Sequence, residues 1–223
     1  MAKPYFRQVP DFNYVSRLPD AKIGDYIKVK NFFKRVQLRD DIFQDLAFFT
    51  KYKIIGDDRP DTVAHKVYGD PTYDWLILLA NNILNVQSEW PLTQLQYDRY
   101  LINKYGYYDN IYSGIHHYES IEVKNDRGVT LLPTGTTISK GYTYTYWDSL
   151  KRTRVTTVDL STPITNYEYE TKIEDEKRNI FILKPEYLGI ATDDMDTIMK
   201  YKKGSSTFVS RTLKNADNIK LTD

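Results

Sequence analysis

The sequence predicts an α+β fold in which short helices occupy the middle of the chain, strands lie on either side, and both ends form extended arms. Two observations carry that expectation. Between residues 61 and 106, apolar residues recur at helical spacing between recognisable start and stop signals. Around that region, residues 51–55, 118–138, 142–158 and 179–184 are short runs of β-branched and aromatic residues bounded by Gly, Pro, Asn and Asp.

Residues 1–30 scatter Pro4, Pro10, Pro19 and Gly24 among aromatics without a sustained period, which reads as an extended arm. Ile27, Val29 and Asn31 alternate with Lys28 and Lys30 as a short strand, and Asp40-Asp41 would cap a helical turn through Ile42, Phe43, Leu46 and Ala47. Residues 51–55 form a further strand, closed by a turn at 56–60. Asp61 stands where its carboxylate would cap a two-turn helix carrying Val63, Ala64, Val67 and Tyr68. Gly69 then fits a left-handed stop, Asp70 a cap and Pro71 a first helical position, so one helix ends and another begins back to back. The second helix, about residues 71–81, is apolar nearly all round through Trp75 and Leu76, which predicts burial on more than one side.

A capping box at Thr93 and Gln96, with Leu92 stapled to Tyr97, starts a third helix that stops at Gly106. Strands are expected at 118–124, 129–132 and 136–138 around the turns at 125–128 and 133–135. The 142–158 segment is strand-prone, Pro163 breaks it, 179–184 is a strand, and Pro185 starts a last helix toward Tyr201. Residues 202–223 show no period and read as a tail ordered by a partner or not at all.

Composition excludes several functions. With 31 Lys and Arg against 30 Asp and Glu, the chain has no global field that selects nucleic acid or an anionic membrane. No apolar run reaches the roughly 18 residues needed to cross a bilayer, and the start of the chain lacks the apolar core of a signal peptide. A soluble, unexported protein is expected. Zero Cys removes disulfides, thiolate metal sites and cysteine nucleophiles together. The 20 Tyr suit a protein with much interface, because Tyr offers large contact area at low rotamer cost; strand edges and ordinary cores also use it.

Catalytic patterns are missing. Histidine is confined to His65 and the adjacent pair His116-His117, whose side chains would point to opposite sides of an extended segment. Asp193-Asp194-Met195-Asp196 lacks the glycine and distal glutamate of a calcium loop, and residues 174–178 read as a solvated mixed-charge turn. Neither a phosphate loop, nor a dinucleotide turn, nor a nucleophile elbow is present. A muramidase would want paired acids in a cleft, and Glu89, before Trp90-Pro91, reads instead as a solvent-facing loop residue.

The order of strand, Gly56-Asp57 turn, short helix ending at Tyr68-Gly69, and second helix ending at Asn81-Asn82 resembles the LysM module, a β-α-α-β unit. The nearest match to its closing strand is residues 132–138, which places an insertion at about 84–130. More specifically, residues 56–64, Val67-Tyr68-Gly69-Asp70-Pro71, Asp74-Trp75, Asn81-Asn82-Ile83 and Glu89-Trp90-Pro91-Leu92 resemble the number fifty-three family of baseplate wedge proteins of T-even-type contractile-tailed phages.

That resemblance implies three regions: an extended arm over 1–50, a LysM-like core with insertion over 51–140, and a β/α arm and tail over 141–223. Val63, Val67, Tyr68, Gly69, Asp70, Pro71, Trp75, Leu76 and Trp90 are its expected core and turn residues. Tyr5, Phe6, Phe12, Phe181 and Tyr187 are the candidates for partner contact, on arms ordered mainly by partners. The implied function is structural, without catalysis or cofactor: a subunit of the virion tail baseplate, assembled in the host cytoplasm, that joins neighbouring wedges into a ring of multiple copies. Its implied neighbours are other wedge proteins and the small subunit that initiates the sheath, with no nucleic acid and no membrane. The alternative is a LysM-type peptidoglycan-binding module of a tail or cell-wall protein, with Asp57, Asp58, Arg59 and Asn81 lining a glycan groove.

Overall fold

The computed structural model describes residues 4–22, 24–204 and 207–216, and those residues are mixed α and β. They form two compact units, one from residues 1–90 with 179–223 and one from 91–178. The divisions between them fall at 90/91 and 178/179.

The first unit begins with a helical turn, α1 (Tyr5–Gln8), and two strands, β1 (Asp11–Val15) and β2 (Tyr26–Lys30), paired antiparallel with Asp11 opposite Lys30. The expected strand over 27–31 is present as β2, but the arm is more regular than its prolines suggested. A turn of helix, α2 (Asp40–Phe43), and a 3-10 turn at Leu46–Phe48 lead into β3 (Phe49–Lys53). Helix α3 (Pro60–Tyr68) starts on Pro60 with Arg59 at the cap, so Asp61 lies inside the first turn and is not the cap. A first-turn carboxylate still faces the positive end of the helix dipole.

The stop and start predicted at 68–71 are both present. Gly69 has φ 77° and ψ 0°, a conformation that costs a residue with a Cβ about 1 to 2 kcal/mol. Asp70 Oδ1 accepts hydrogen bonds from the Thr72 amide (2.9 Å) and hydroxyl (2.7 Å), and Pro71 opens the 3-10 turn that runs into α4 (Asp74–Ala80). Helix α4 is buried on two sides, with Trp75, Leu76 and Ala80 in one apolar cluster and Ile77 in another. Its all-round apolar sequence follows from that position. A short helix, α5 (Val86–Glu89), ends at buried Trp90.

The second unit opens with α6 (Gln94–Tyr105), whose Thr93–Gln96 capping box is formed, and α7 (Tyr108–Tyr112). Strands β4 (Ile115–Ser120), β5 (Val123–Lys124), β6 (Thr130–Leu132) and β7 (Thr137–Ile138) follow, with β5 paired to β6 and β7 to β4. Residues 132–138 therefore belong to this unit and do not close the helical core of the first. The hairpin β8 (Tyr144–Asp148) and β9 (Thr153–Thr157) precedes β10 (Ser161–Thr165). Pro163 sits inside β10 and does not break it, because β10 is an edge strand of the order β10-β4-β7, where a missing amide is tolerated.

Helix α8 (Asn166–Lys177) contains most of the cluster at 174–178 that reads as a turn. Its start is a second capping box, in which Thr165 Oγ1 accepts from the Glu168 amide and the Glu168 carboxylate accepts from the Thr165 amide. Tyr97, Leu101 and Ile111 form this unit's buried cluster, with Leu92 and Tyr167 packed against it.

The chain then returns to the first unit. Strand β11 (Asn179–Leu183) pairs antiparallel with β3, Ile180 opposite Tyr52, and a 3-10 turn at Pro185–Tyr187 leads to α9 (Leu188–Met199). The strand that closes the β3-α3-α4 unit is thus β11, about a hundred residues beyond α4. Strands β12 (Phe208–Ser210) and β13 (Leu213–Asn215) lie in the segment read as a tail; β13 pairs parallel with β1, giving a sheet in the order β12-β13-β1-β2. Residues 217–223 of that expected tail lie outside the described residues. The two ends of the chain thus supply each other's missing strand neighbours, which neither shows by periodicity alone. Among the described residues no helix is long and apolar enough to cross a membrane.

Candidate functional site

In the first unit, the predicted core and turn residues meet where α3 and α4 pack on the β3–β11 pair. Val63 and Leu76 are fully buried, Trp75 and Trp90 nearly so, and Val67 is half-buried. The Tyr68 hydroxyl donates to the Leu183 carbonyl at 2.8 Å, and burial pushes that hydroxyl well above its ordinary pKa. Trp90 Nε1 donates to the Asp58 carbonyl at 2.9 Å, tying the end of α5 to the turn before α3. Asn81 does what the sequence did not reveal. Its Nδ2 donates to the Ile77 and Phe181 carbonyls and its Oδ1 accepts from the Phe181 amide, so one side chain acts as a strand neighbour for β11. Asn82 then takes φ 52°, a left-handed conformation Asn tolerates better than most residues.

The five candidates for partner contact divide by exposure. Tyr5 packs inward, its ring 6.2 Å from that of Trp75 and its hydroxyl accepting from the Val36 amide. Tyr187 packs on the core edge-on to Phe48 at 4.8 Å. Phe12 is half-buried, and Phe181 is 36% exposed. Phe6 is 62% exposed and meets Phe32 edge to face at 6.0 Å.

Sequence reasoning missed the partners of Phe6. Phe32 and Phe33 are 71% and 95% exposed on the turn that leaves β2, and the available signal was two successive phenylalanines in the polar stretch Asn31-Phe32-Phe33-Lys34-Arg35. The turn is held in place, because Asn31 Nδ2 donates to the Tyr201 hydroxyl at 2.9 Å and Lys34 Nζ to the Lys200 carbonyl at 2.7 Å. Beside it lies an open cavity of about 270 Å³ lined by Phe12, Phe33, Tyr201, Lys214 and Ala216. The result is an aromatic ridge and hollow on the sheet that joins the chain ends.

Among the described residues, the buried acids Glu170 and Glu174 are each engaged by hydrogen-bond donors. Glu170 is buried in the second unit and accepts hydrogen bonds from the Tyr100 hydroxyl (3.0 Å), the Tyr105 hydroxyl (2.7 Å) and Lys104 Nζ (2.5 Å). Burial alone would raise the Glu170 carboxyl, yet those three donors hold it below its ordinary value. Glu174, also buried, accepts from the Leu92 amide at 3.0 Å and pairs with Lys177. Both carboxylates fasten α8 to the start and end of α6. Glu89, the acid considered for a muramidase, accepts from the Leu84 and Asn85 amides at the start of α5.

The histidine pair departs from expectation. Ile164 of β10 lies opposite His117 and Thr165 opposite Ile115, leaving His116 as the extra residue of a β-bulge. The bulge brings the two rings to the same side, with their Nδ1 atoms 2.9 Å apart and His116 stacked on Tyr169 at 3.8 Å. Among the described residues no three His, Asp or Glu converge as a metal site.

A family model described as Base plate wedge protein 53 matches residues 8–126. The match runs from the start of the terminal sheet through α3, α4 and α6 to β5. A comparison with curated proteins gives no match. The matched span exceeds half of the 223 residues, so the chain belongs to the Base plate wedge protein 53 family and is a structural component of the phage tail baseplate, working through contacts with other baseplate components.

Proposed function

We propose that this chain joins neighbouring wedges into the baseplate ring, and that the exposed aromatics of its terminal sheet make the contact. The observation that carries this reading is the ridge of three large apolar side chains held in solvent: Phe32 and Phe33 on a turn fixed by hydrogen bonds to Tyr201 and Lys200, and Phe6 of α1 packed edge to face on Phe32. Aromatic side chains so placed are the usual anchors of protein interfaces. Phe6 and Phe12 serve there, while Tyr5 and Tyr187 act in packing. The neighbours are other wedge proteins and the small subunit that initiates the sheath, met during assembly in the host cytoplasm.

The β3-α3-α4-β11 unit is read as a LysM-like scaffold. Supporting a scaffold role over glycan binding, the Asn81 amide is engaged with β11, the Asp58 carboxylate with Lys66, and the Asp58 carbonyl with Trp90. A purified wedge-assembly reaction tests the proposal. The Phe32→Ser/Phe33→Ser double variant should keep its circular dichroism spectrum and melting temperature, enter wedges poorly and leave them unjoined in sedimentation. Ring formation at the wild-type level by the folded variant would overturn the assignment.

A further inference from the structure

The chain's near neutrality conceals a division within its first unit. Residues 4–38 and 200–216, from which the terminal sheet and its turns are drawn, hold twelve Lys or Arg and three Asp. The rest of that unit, residues 39–90 and 179–199, holds six Lys or Arg and thirteen Asp or Glu. The near-neutral charge of the whole chain therefore hides two regions of opposite sign.

Both regions are concentrated. On the basic side, Lys34 sits over the Tyr201 ring at 4.8 Å, and the Tyr201 amide donates to the Arg211 carbonyl at 2.8 Å, which gathers Lys34, Lys202, Lys203 and Arg211 around one aromatic. Lys202, Lys203, Arg211 and the nearby Arg35 are exposed, and among the described residues none has a carboxylate within ion-pair distance. Burial, and after it the neighbouring Lys202 charge, lower the Lys34 pKa. On the acidic side, Arg39 pairs with Asp41 and approaches Asp194 at 3.9 Å, which brings the first turn of α2 beside the middle of α9, and the next residues in sequence, Asp40 and Asp193, are exposed.

We infer that the basic face around Tyr201 docks on the acidic α2–α9 face of a second copy of this chain. The inference rests on the ring-joining reading above and names the occupant of the surface beside its aromatic ridge. Charge complementarity identifies that occupant: the acidic face that fits the basic one is carried by the same chain. A nucleic-acid duplex, whose bases are already stacked, would answer the cations but leave Phe6, Phe32 and Phe33 in solvent, whereas a protein face covers both. Because the joined faces differ, the contact is heterologous, the kind that builds rings or open chains of copies.

Sedimentation velocity of the full-length protein tests this. Species larger than a monomer are expected at about 25 mM salt and should dissociate at about 500 mM, where the screening length drops to a few ångströms. The Lys202→Gln/Lys203→Gln and Asp40→Asn/Asp193→Asn variants, each melting like wild type, should be monomers at low salt, with self-association weakened roughly tenfold or more. Mixed in equal amounts they should form a complex of one copy of each and nothing larger, since each retains the face the other has lost. A wild-type protein that stays monomeric at low salt, or variants that associate as wild type does, would overturn the inference. So would a short DNA duplex retained by the wild type while the mixed variants fail to pair, which assigns the basic face to nucleic acid. The two proposals fail separately: a monomer that still joins wedges removes only the copy-to-copy contact, whereas salt-sensitive copies that never enter wedges remove only the ring-joining role.

Discussion

Replacing Glu170 by Gln removes a charge and leaves nearly the same shape, in a second unit whose α8 is held to α6 by that carboxylate. Three donors point at it, the Tyr100 and Tyr105 hydroxyls and the Lys104 ammonium. A hydrogen bond to a charged group contributes about 1.5 to 3 kcal/mol and one to a neutral group about 0.5 to 1.5. The amide can still accept through its oxygen, but its nitrogen presents hydrogens to at least one of the three donors. Lys104 is 44% exposed and recovers water, which discounts its share. The loss is then about 2 to 3 kcal/mol, or a fall in melting temperature of roughly 4 to 12 °C for a chain of this size.

The change also carries a pH signature. Glu170 has a folded pKa below its ordinary value of 4.5, so its contribution is fully present above that value and is lost as pH falls through the folded pKa. Glu170→Gln should therefore sit furthest below wild type near neutrality and converge with it in acid. Urea titrations at pH 7 and about pH 3 measure both quantities. A variant within about 0.5 kcal/mol of wild type at pH 7, or a deficit that grows in acid, would refute the reasoning.

Other substitutions test the first unit. Trp75→Ala empties a buried site against Leu76 and Tyr5 and should cost about 3 to 5 kcal/mol in a urea titration; a small loss would mean the ring is not a core residue. Asn81→Ala removes two hydrogen bonds to Phe181 of β11 and one to the Ile77 carbonyl of α4, at a partly hydrated edge, and about 1.5 to 3 kcal/mol is expected, with faster amide exchange at Phe181. Gly69→Ala meets open space, so its cost is backbone strain alone, about 1 to 2 kcal/mol, and a loss much beyond that would show that more than the left-handed conformation is at stake.

Local chemistry was legible in the sequence wherever the cause lay within a few residues. The Gly69 stop, the Asp70 cap, the Thr93 capping box and the all-round apolar α4 each follow from a short pattern. The α8 start was equally legible, since Thr165 and Glu168 have capping-box spacing, but the charges at 174–178 drew the reading toward a turn. What the sequence concealed was pairing over distance. Strand β3 finds its neighbour in β11, and β1 finds β13, across more than a hundred residues with no local mark of the partner. The same distance hid the basic face around Tyr201, because Lys34 and Tyr201 become neighbours only once the chain ends share a sheet. The β-bulge at His116 was hidden for a related reason, since it depends on the register against β10.

The central claim, a structural subunit that joins baseplate wedges, is tested most directly by electron cryomicroscopy of assembled tails. The account predicts density for the β3-α3-α4-β11 unit in repeated copies around the baseplate, with Phe6, Phe32 and Phe33 buried against a neighbouring wedge. Tails in which this chain is absent, or in which that ridge faces solvent in every copy, would contradict it.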